Sequence, residues 1–357
     1  MVQISNIKLG EFPLLLAPME DVSDPPFRAL CKEQGADLVF TEFISAEGLI
    51  RYADKSMEKL DIYDAERPVG IQIFGAEIDS MRRCAQMVER AEPEILDINF
   101  GCPVKKVTCK GAGAGILRDI PKMERLTREI VQSTHLPVTV KTRLGWDDHS
   151  IKIVEVALRL QDAGIKALSI HGRTRKQMYK GQADWTLIGE IAAHPDIEIP
   201  IFGNGDVDSP EKAQLMRDTF PVQGIMIGRG SIGNPWIFKQ IKHYMATGEH
   251  LPPPDLKEKV DVCRRHLLMS VDWKKEIVAI REMRRHYASY FRGLPNFKPL
   301  RIRLVTTDDL QEIMDILSFI EEEYNPSEAQ AFRHTKHAQR PSDKANKQDL
   351  TLSEQLK

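Results

Sequence analysis

The sequence lacks several features that mark whole classes of protein. Among its 357 residues no apolar run approaches the ~18 that a membrane-spanning helix needs, and no basic-then-apolar leader opens the chain. Its five cysteines are odd in number and do not show the close paired spacing of a zinc ribbon or a secreted disulfide framework. We therefore expect a soluble cytoplasmic protein in which all of these are reduced thiols: Cys31, Cys84, Cys102, Cys109 and Cys263.

A large net charge of either sign is also missing. The formal net charge is -2, so the whole molecule offers no attraction to nucleic acid, and any such binding needs a local basic face. The pattern G-x-G-x-x-G does not follow the first predicted strand, where a dinucleotide-binding sheet carries its phosphate turn. Its absence argues against an open, doubly wound sheet, which is the architectural alternative to the barrel predicted next.

What the sequence does contain is a repeated alternation of strand and helix signals. Short apolar, β-branched runs are separated by helical patterns, such as the spacing of Ile153, Val156 and Leu160. This alternation predicts parallel pairing, and continuous apolar runs suit strands that are buried on both faces. Eight such units predict an α/β fold of the closed (β/α)8 type, a TIM barrel. The predicted strands are 14–16, 38–43, 69–74, 95–100, 138–142, 167–170, 199–202 and 224–227.

The character of the chain changes after Pro235, where helical segments follow one another without strand signals as far as Tyr324. We interpret this part as a small all-helical domain that follows the barrel. The predicted domains are 1–240 for the barrel and 241–324 for the helices, with a polar tail at 325–357 that we expect to be disordered. His334 and His337 in the tail resemble a metal pair by spacing alone, so no metal site is expected.

Polar or glycine residues follow each predicted strand, at the end of a barrel where chemistry takes place. Any one of them could be a packing or capping group, but the whole series favours a ligand site. Glycine-rich turns after the last two strands allow backbone N–H groups to approach a phosphate that Arg229 can neutralise. Gln72 and Asn99 offer paired donors and acceptors for a flat heterocycle, and Lys141 offers positive charge for the anion of a reduced isoalloxazine ring.

Flavin mononucleotide (FMN) meets these three demands, whereas nothing in the sequence suggests the second nucleotide site that a nicotinamide cofactor would need. The expected cofactor-binding residues are Pro18, Met19, Glu20, Gln72, Asn99, Lys141, His171, Asn204, Gly205, Asp206, Gly228 and Arg229.

Six motifs, in order along the chain, resemble those of the tRNA-dihydrouridine synthases, and the likeness is strongest to the bacterial B-type branch. It spans roughly residues 10 to 320. The motifs are Ala17-Pro18-Met19, Asn99-x-Gly101-Cys102-Pro103, Val140-Lys141-Thr142-Arg143, Ile170-His171-Gly172-Arg173-Thr174, Asn204-Gly205-Asp206 and Ile227-Gly228-Arg229.

The resemblance implies an FMN-bearing barrel, a helical RNA-binding domain and NADPH as electron source. It also implies that the flavin N5 delivers a hydride to C6 of uridine while Cys102 delivers the proton to C5. A thiol with an unperturbed pKa of about 8.5 is mostly protonated at neutral pH and suits this acid role. His171 and Lys141 are implied to lie near the ring and the base, although either could instead orient Cys102. Glu20 and Asp21 depart from the small residues that are commoner after this methionine.

Several neighbouring residues have more than one reading. Cys109 falls outside the motif, and the other three cysteines lie in helical patterns, where we expect them to pack. Arg143 and Arg173 fit contacts to RNA, contacts to a flavin phosphate or salt bridges across the barrel mouth equally well.

A local basic face is present in the helical part. From Cys263 to Arg303 there are eleven Lys or Arg residues against three acids, with five aromatic residues interleaved. A solvated basic face over an aromatic core would explain the segment by itself, but the barrel motifs favour RNA binding. The RNA-binding candidates are Arg281, Arg284, Arg285, Tyr290 and Arg301.

Two other functions remain open. The first is a small-molecule FMN oxidoreductase of the dihydroorotate or dihydropyrimidine dehydrogenase kind, against which the basic helical part argues. The second is a non-catalytic RNA-binding protein, against which Cys102 and Lys141 argue. The favoured reading is a monomeric enzyme that acts on tRNA.

Overall fold

A computed structural model describes residues 1–324, which form an eight-stranded parallel barrel with helices between the strands and further helices after it. The strands are β1 (Val2–Ile4), β2 (Ile7–Gly10), β3 (Leu14–Leu16), β4 (Val39–Phe40), β5 (Ile44–Ser45), β6 (Val69–Phe74), β7 (Ile95–Asn99), β8 (Val138–Arg143), β9 (Ala167–His171), β10 (Ile201–Asn204) and β11 (Gly224–Ile227).

The helices alternate with the barrel strands as far as α10 and then continue alone. They are α1 (Pro25–Glu33), α2 (Ala46–Leu49), α3 (Asp54–Glu58), α4 (Ile78–Glu89), α5 (Lys105–Thr108), α6 (Ile120–Val131), α7 (Ile153–Asp162), α8 (Thr186–Ala192), α9 (Pro210–Thr219), α10 (Ile237–Thr247), α11 (Leu256–Trp273), α12 (Glu276–Tyr290), α13 (Lys298–Thr306) and α14 (Leu310–Glu322), with short 3-10 helices at Asp64–Glu66, Gly113–Arg118 and Arg229–Ser231.

The barrel closes between its first and second strands. Neighbouring strands pair in the order β3-β11-β10-β9-β8-β7-β6-β4, all parallel. A bridge between Leu15 and Leu38 joins the ends of this series, and the N–H of Leu16 donates to the carbonyl of Leu38 at 2.9 Å. The nearly closed barrel confirms the predicted (β/α)8 fold over the open sheet.

Seven of the predicted strands begin and end within two residues of the observed ones. The second is the exception, because the predicted run 38–43 contains only the two residues of β4 before the chain turns and resumes pairing with β6 at β5. The sequence did not indicate the antiparallel hairpin of β1 and β2. Its Ile4 and Leu9 pack with Leu15, in the middle of β3, and with Ile95, the first residue of β7, so the hairpin closes the amino end of the barrel.

The last four helices pack around a core of their own. On α12 the residues Ile280, Met283 and Tyr287 are buried at helical spacing, and they meet Leu267 of α11 and Ile316 of α14. Helix α10 instead contributes Ile237, Phe238 and Ile241 to the barrel core. The predicted boundary at residue 240 falls inside that helix, and we propose that the boundary lies in the segment 248–255. The predicted tail 325–357 lies outside the described residues.

Within residues 1–324, no helix has both the length and the apolar character that crossing a bilayer requires.

Candidate active site

The carboxyl ends of the barrel strands surround a cleft of about 1200 Å³ that extends toward the helical part. Strand register brings distant sequence motifs together there, because Asn99 lies beside Lys141 and Arg143 lies beside His171 on neighbouring strands. All but one of the predicted cofactor-binding residues line this cleft, and Cys102 lines it with them. The lining residues of the predicted set are Pro18, Met19, Glu20, Asn99, Lys141, His171, Asn204, Gly205, Asp206, Gly228 and Arg229.

Cys102 lies on a loop that the last side chain of β7 holds in place. The Oδ1 of Asn99 accepts hydrogen bonds from the backbone N–H of Gly101 at 3.0 Å and of Cys102 at 2.8 Å. The cysteine is only 8% exposed, and this burial raises the pKa of its thiol above the usual value. The thiol is therefore protonated at neutral pH, which is the form that an acid requires.

Gln72 is the predicted residue that does not line the cleft. It is completely buried beneath Asn99: its Oε1 accepts from Asn99 Nδ2 at 2.8 Å, and its Nε2 donates to Asp97 at 2.5 Å. Asp97 also accepts from the hydroxyl of Thr139 at 2.5 Å. In this structure Gln72 supports Asn99 and does not itself face the cleft, because it stands opposite Asp97 in the strand register.

Sequence reasoning missed Asp97, although a carboxylate inside the buried run I-L-D-I-N is a signal that could have found it. Burial raises the pKa of this carboxyl to about 6.

Two basic residues of β8, Lys141 and Arg143, lie at the cleft. Burial, with Arg143 nearby, lowers the pKa of Lys141 to about 8. Arg143 is itself buried, and its Nε donates to the carbonyl of Gly101 at 2.7 Å while its NH1 donates to the carbonyls of Thr174 and Met178 at 3.1 and 2.8 Å. Arg143 therefore joins the loop of Cys102 to the loop that follows β9.

His171 and Arg173, which follow each other closely at the end of β9, differ in charge and in partners. Burial and then the nearby cations, Arg143 first, hold the pKa of His171 well below its usual range, so its ring is neutral at neutral pH. Arg173 makes a two-pronged ion pair with Asp206, at 2.9 and 2.6 Å. Of the alternatives left open by the sequence, the salt bridge across the barrel mouth describes Arg173.

The turns after β10 and β11 bring backbone close to the cleft. Gly205 has a φ of +127°, and a Cβ added there would lie 2.6 Å from the Cβ of Ala183 and 3.1 Å from the ring of His171. Arg229 follows Gly228, donates to Asp206 at 3.1 Å and lies 4.9 Å from the ring centre of Tyr179. These turns thus present glycine backbone beside one partly exposed guanidinium.

The predicted RNA-binding residues are dispersed. Arg281 and Arg284 share the carboxylate of Asp308. Arg285 reaches the barrel, where it donates to the carbonyls of Glu20 and Asp21 at 3.2 and 2.7 Å and pairs with the Asp21 carboxylate at 3.3 Å.

Arg301 is exposed on α13. Tyr290 is 1% exposed, packs against Trp236 and His266, and lies at the edge of the cleft.

Comparison with known proteins identifies relatives over most of the chain. A family described as dihydrouridine synthase matches residues 15–325. The chain is 38% identical over 313 residues to tRNA-dihydrouridine synthase B of Pseudomonas putida, which covers 86% of this chain and 92% of the relative. It is 39% identical over 277 residues to the protein of the same name from Shewanella oneidensis, covering 78% and 85% of the two chains.

Solved structures share the fold at much lower identity. Histamine dehydrogenase from a Rhizobium species has a TM-score of 0.51 at 15% identity, over 74% of this chain and 50% of that one. The 6-hydroxypseudooxynicotine amine oxidase of Pseudomonas geniculata has a TM-score of 0.53 at 11% identity, over 72% and 52%. At this level of identity the likeness shows the fold alone. The family match and the relatives that share more than a third of their residues over nearly their whole length show that the chain belongs to the dihydrouridine synthase family, in its B-type branch.

Proposed function

We propose that this enzyme uses FMN, with NADPH as electron donor, to reduce the C5=C6 bond of specific uridines in tRNA to 5,6-dihydrouridine. The relatives named tRNA-dihydrouridine synthase support the substrate. The observation that carries the chemistry is a single protonated thiol, Cys102, fixed by Asn99 at the edge of a cleft that Lys141 and Arg143 line with positive charge.

The residues of the cleft fit FMN. The turns at Gly205 and Gly228 offer backbone N–H groups to a phosphate, and Arg229 can contribute a partly exposed charge. Lys141 is half-buried and lines the same cleft, where its ammonium can stabilise negative charge on a reduced ring. The neutral ring of His171 can hydrogen-bond there without adding charge. When bound and reduced, FMN supplies a hydride to C6 of the uracil.

Cys102 completes the reduction by giving a proton to C5 of the uracil. The S–H bond breaks, the C5–H bond forms, and the sulfur retains the electron pair as a thiolate that solvent later protonates. Arg143 and Lys141 both lower the pKa of Cys102, against the larger effect of burial. They therefore stabilise the thiolate at the moment when it forms.

A uridine stacked inside folded RNA cannot reach a thiol that is 8% exposed. The target base must leave its stack and enter the cleft, while the protein holds the surrounding RNA by shape and backbone. We propose that the helices after α10 take part in this tRNA binding. We also propose that the enzyme works as a cytoplasmic monomer without a metal.

The test compares Cys102→Ala with Cys109→Ala, which changes an exposed thiol on the same loop. Both proteins are purified, their flavin content is measured by absorbance, and dihydrouridine formed on unmodified tRNA is measured by mass spectrometry. Cys102→Ala should lower kcat by at least ~100-fold, the size of a general-acid contribution, with flavin content and tRNA affinity unchanged. Cys109→Ala should retain its rate.

Protein that stays colourless when FMN is added would contradict the proposal. Turnover of free uracil or dihydroorotate without RNA would instead favour the small-molecule flavoenzyme.

A further inference from the structure

A cluster of cations lies on the barrel rim beside the loop of Cys102, and neither the flavin site nor the acid role uses it. We call it the rim patch. Within the described residues, none of its six members forms an ion pair. The rim patch consists of Lys105, Lys106, Lys110, Arg118, Arg175 and Lys176.

Two acids near the rim patch, Asp119 and Asp147, already have other partners. Asp119 caps α6 by accepting from the backbone of Lys122, and Asp147 accepts from Ser150 and from the backbone of His149. Lys176 affects the pKa of Asp147 only as a minor contributor. The rim patch therefore keeps its positive charge.

Contacts between three loops make these residues one surface. Arg175, after β9, donates to the hydroxyl of Thr108 at 3.2 Å, and Arg118 donates to the carbonyl of the same residue at 3.4 Å. The backbone N–H of Lys176 donates to the carbonyl of Trp146, after β8, at 3.0 Å. The loops that follow β7 and β9 thus present their cations side by side, and the loop after β8 joins them through Trp146.

Trp146 orders two of these side chains. The guanidinium of Arg118 lies 4.4 Å from the centre of its ring, and that of Arg175 lies 4.7 Å away. Cation–π contacts of this kind hold long side chains in place. A charged surface that is ordered in advance loses less entropy when an anion binds.

The basic segment of the helical part presents a contrast. Seven of its eleven cations form ion pairs, several with acids far away in the sequence. Arg265 pairs with Glu33, for example, and Lys274 pairs with Asp24. Much of the charge that makes this segment conspicuous in the sequence is therefore neutralised by the fold.

We propose that the rim patch binds the phosphate backbone of the RNA whose base enters the cleft, and that it contributes more to affinity than the paired arginines of α12. This inference rests on the proposed function. Helix α5, which carries two of the lysines, begins three residues after Cys102. Backbone flanking a base at that thiol would pass over the rim patch, where unpaired cations can release the counterions of RNA phosphates.

The experiment compares two triple variants of the full chain that lose the same charge. The rim variant carries Lys105→Gln, Lys106→Gln and Lys110→Gln. The control carries Lys8→Gln, Arg90→Gln and Lys166→Gln, three exposed cations at the end of the barrel that the hairpin closes. A further double variant, Arg281→Gln with Arg284→Gln, tests the cations that share Asp308. The affinity of each protein for an unmodified tRNA transcript is measured over a range of salt concentrations.

The rim variant should bind about 10- to 100-fold more weakly. The slope of its log affinity against log salt concentration should become shallower by about 0.9 for each phosphate that the protein no longer neutralises. The control and the double variant should stay within about threefold of the starting protein. A rim variant whose affinity and slope equal those of the control would overturn the inference.

Binding is read separately from chemistry, so the two proposals can fail independently. Starting protein that makes dihydrouridine while the rim variant binds normally would refute the rim patch alone. Flavin-loaded protein that binds tRNA without reducing it would refute the proposed function, and the affinities would still decide the role of the rim patch.

Discussion

The side-chain oxygen of Asn99 accepts a hydrogen bond from the backbone N–H of Cys102 at 2.8 Å, which fixes the position of the loop that carries the thiol. Asn99 is oriented in turn by Gln72, and Gln72 by Asp97. Because an amide has one donor end and one acceptor end, each partner prevents the next amide from turning over. A buried carboxylate two residues from the end of β7 therefore sets the orientation of the cysteine loop.

Asn99→Ala should slow the reaction because this orientation is no longer fixed. The N–H groups of Gly101 and Cys102 lose their acceptor, and Gln72 loses its donor. We expect kcat to fall by about 10- to 100-fold, because a proton donor that is displaced by about 1 Å loses that much. Steady-state assays at saturating tRNA measure the effect. Asn99→Asp keeps an acceptor for both N–H groups and should recover part of the rate. A wild-type kcat in the alanine variant would contradict this assignment.

Asp97→Asn should change how stability depends on pH. Burial raises the pKa of Asp97 from 3.8 to about 6, so the folded state binds this proton more tightly than the unfolded state. The contribution of Asp97 to stability is thus complete below about pH 4, declines as the pH rises toward 6, and is constant above that. Asparagine cannot ionise, yet it can accept from Gln72 and donate to Thr139.

The variant should therefore gain about 1–3 kcal/mol relative to wild type between pH 4 and pH 7. Urea unfolding at several pH values measures the difference between the two proteins. If the free energies of unfolding of the two proteins differ by the same amount at every pH in this range, Asp97 does not titrate there.

Gly205→Ala should weaken cofactor retention. The residue has a φ of +127°, and its new Cβ would meet Ala183 at 2.6 Å and the ring of His171 at 3.1 Å. Gly10→Ala is a matched control, since Gly10 also has a positive φ of +95° but has no neighbour within 4 Å of the added Cβ. Both changes introduce backbone strain of about 1–2 kcal/mol. Only Gly205→Ala should reduce the flavin that copurifies, as measured by absorbance, and equal flavin content in the two variants would argue against this turn as the phosphate site.

The sequence predicted the barrel because the signals for its strands and helices are local: apolar runs of β-branched residues indicate strands, and apolar residues at helical spacing indicate helices. The residues at the strand ends followed from the same reasoning, since parallel strands present their carboxyl ends together. The sequence did not predict where the side chain of Gln72 points, because this depends on the register between β6 and β7. The hairpin of β1 and β2 was missed because its strands have only three and four residues.

Charge was the least predictable feature of the chain. The count of cations in the helical part was correct, but their partners lie elsewhere in the sequence. Arg265 meets Glu33 and Arg285 meets Asp21, pairs that are separated by 232 and 264 residues. Tyr290 likewise carried an aromatic signal suited to stacking on a base, yet it is 1% exposed and packs edge-on against Trp236. Only the folded structure shows which charges and rings remain available.

The hairpin that closes one end of the barrel has a consequence for the order of events. In the part of the chain that the structure describes, the cleft of about 1200 Å³ lies at the opposite end. For the reaction proposed, both the nicotinamide donor and the RNA would have to reach the flavin through this cleft. We therefore expect the donor and the RNA to react with the enzyme in alternation.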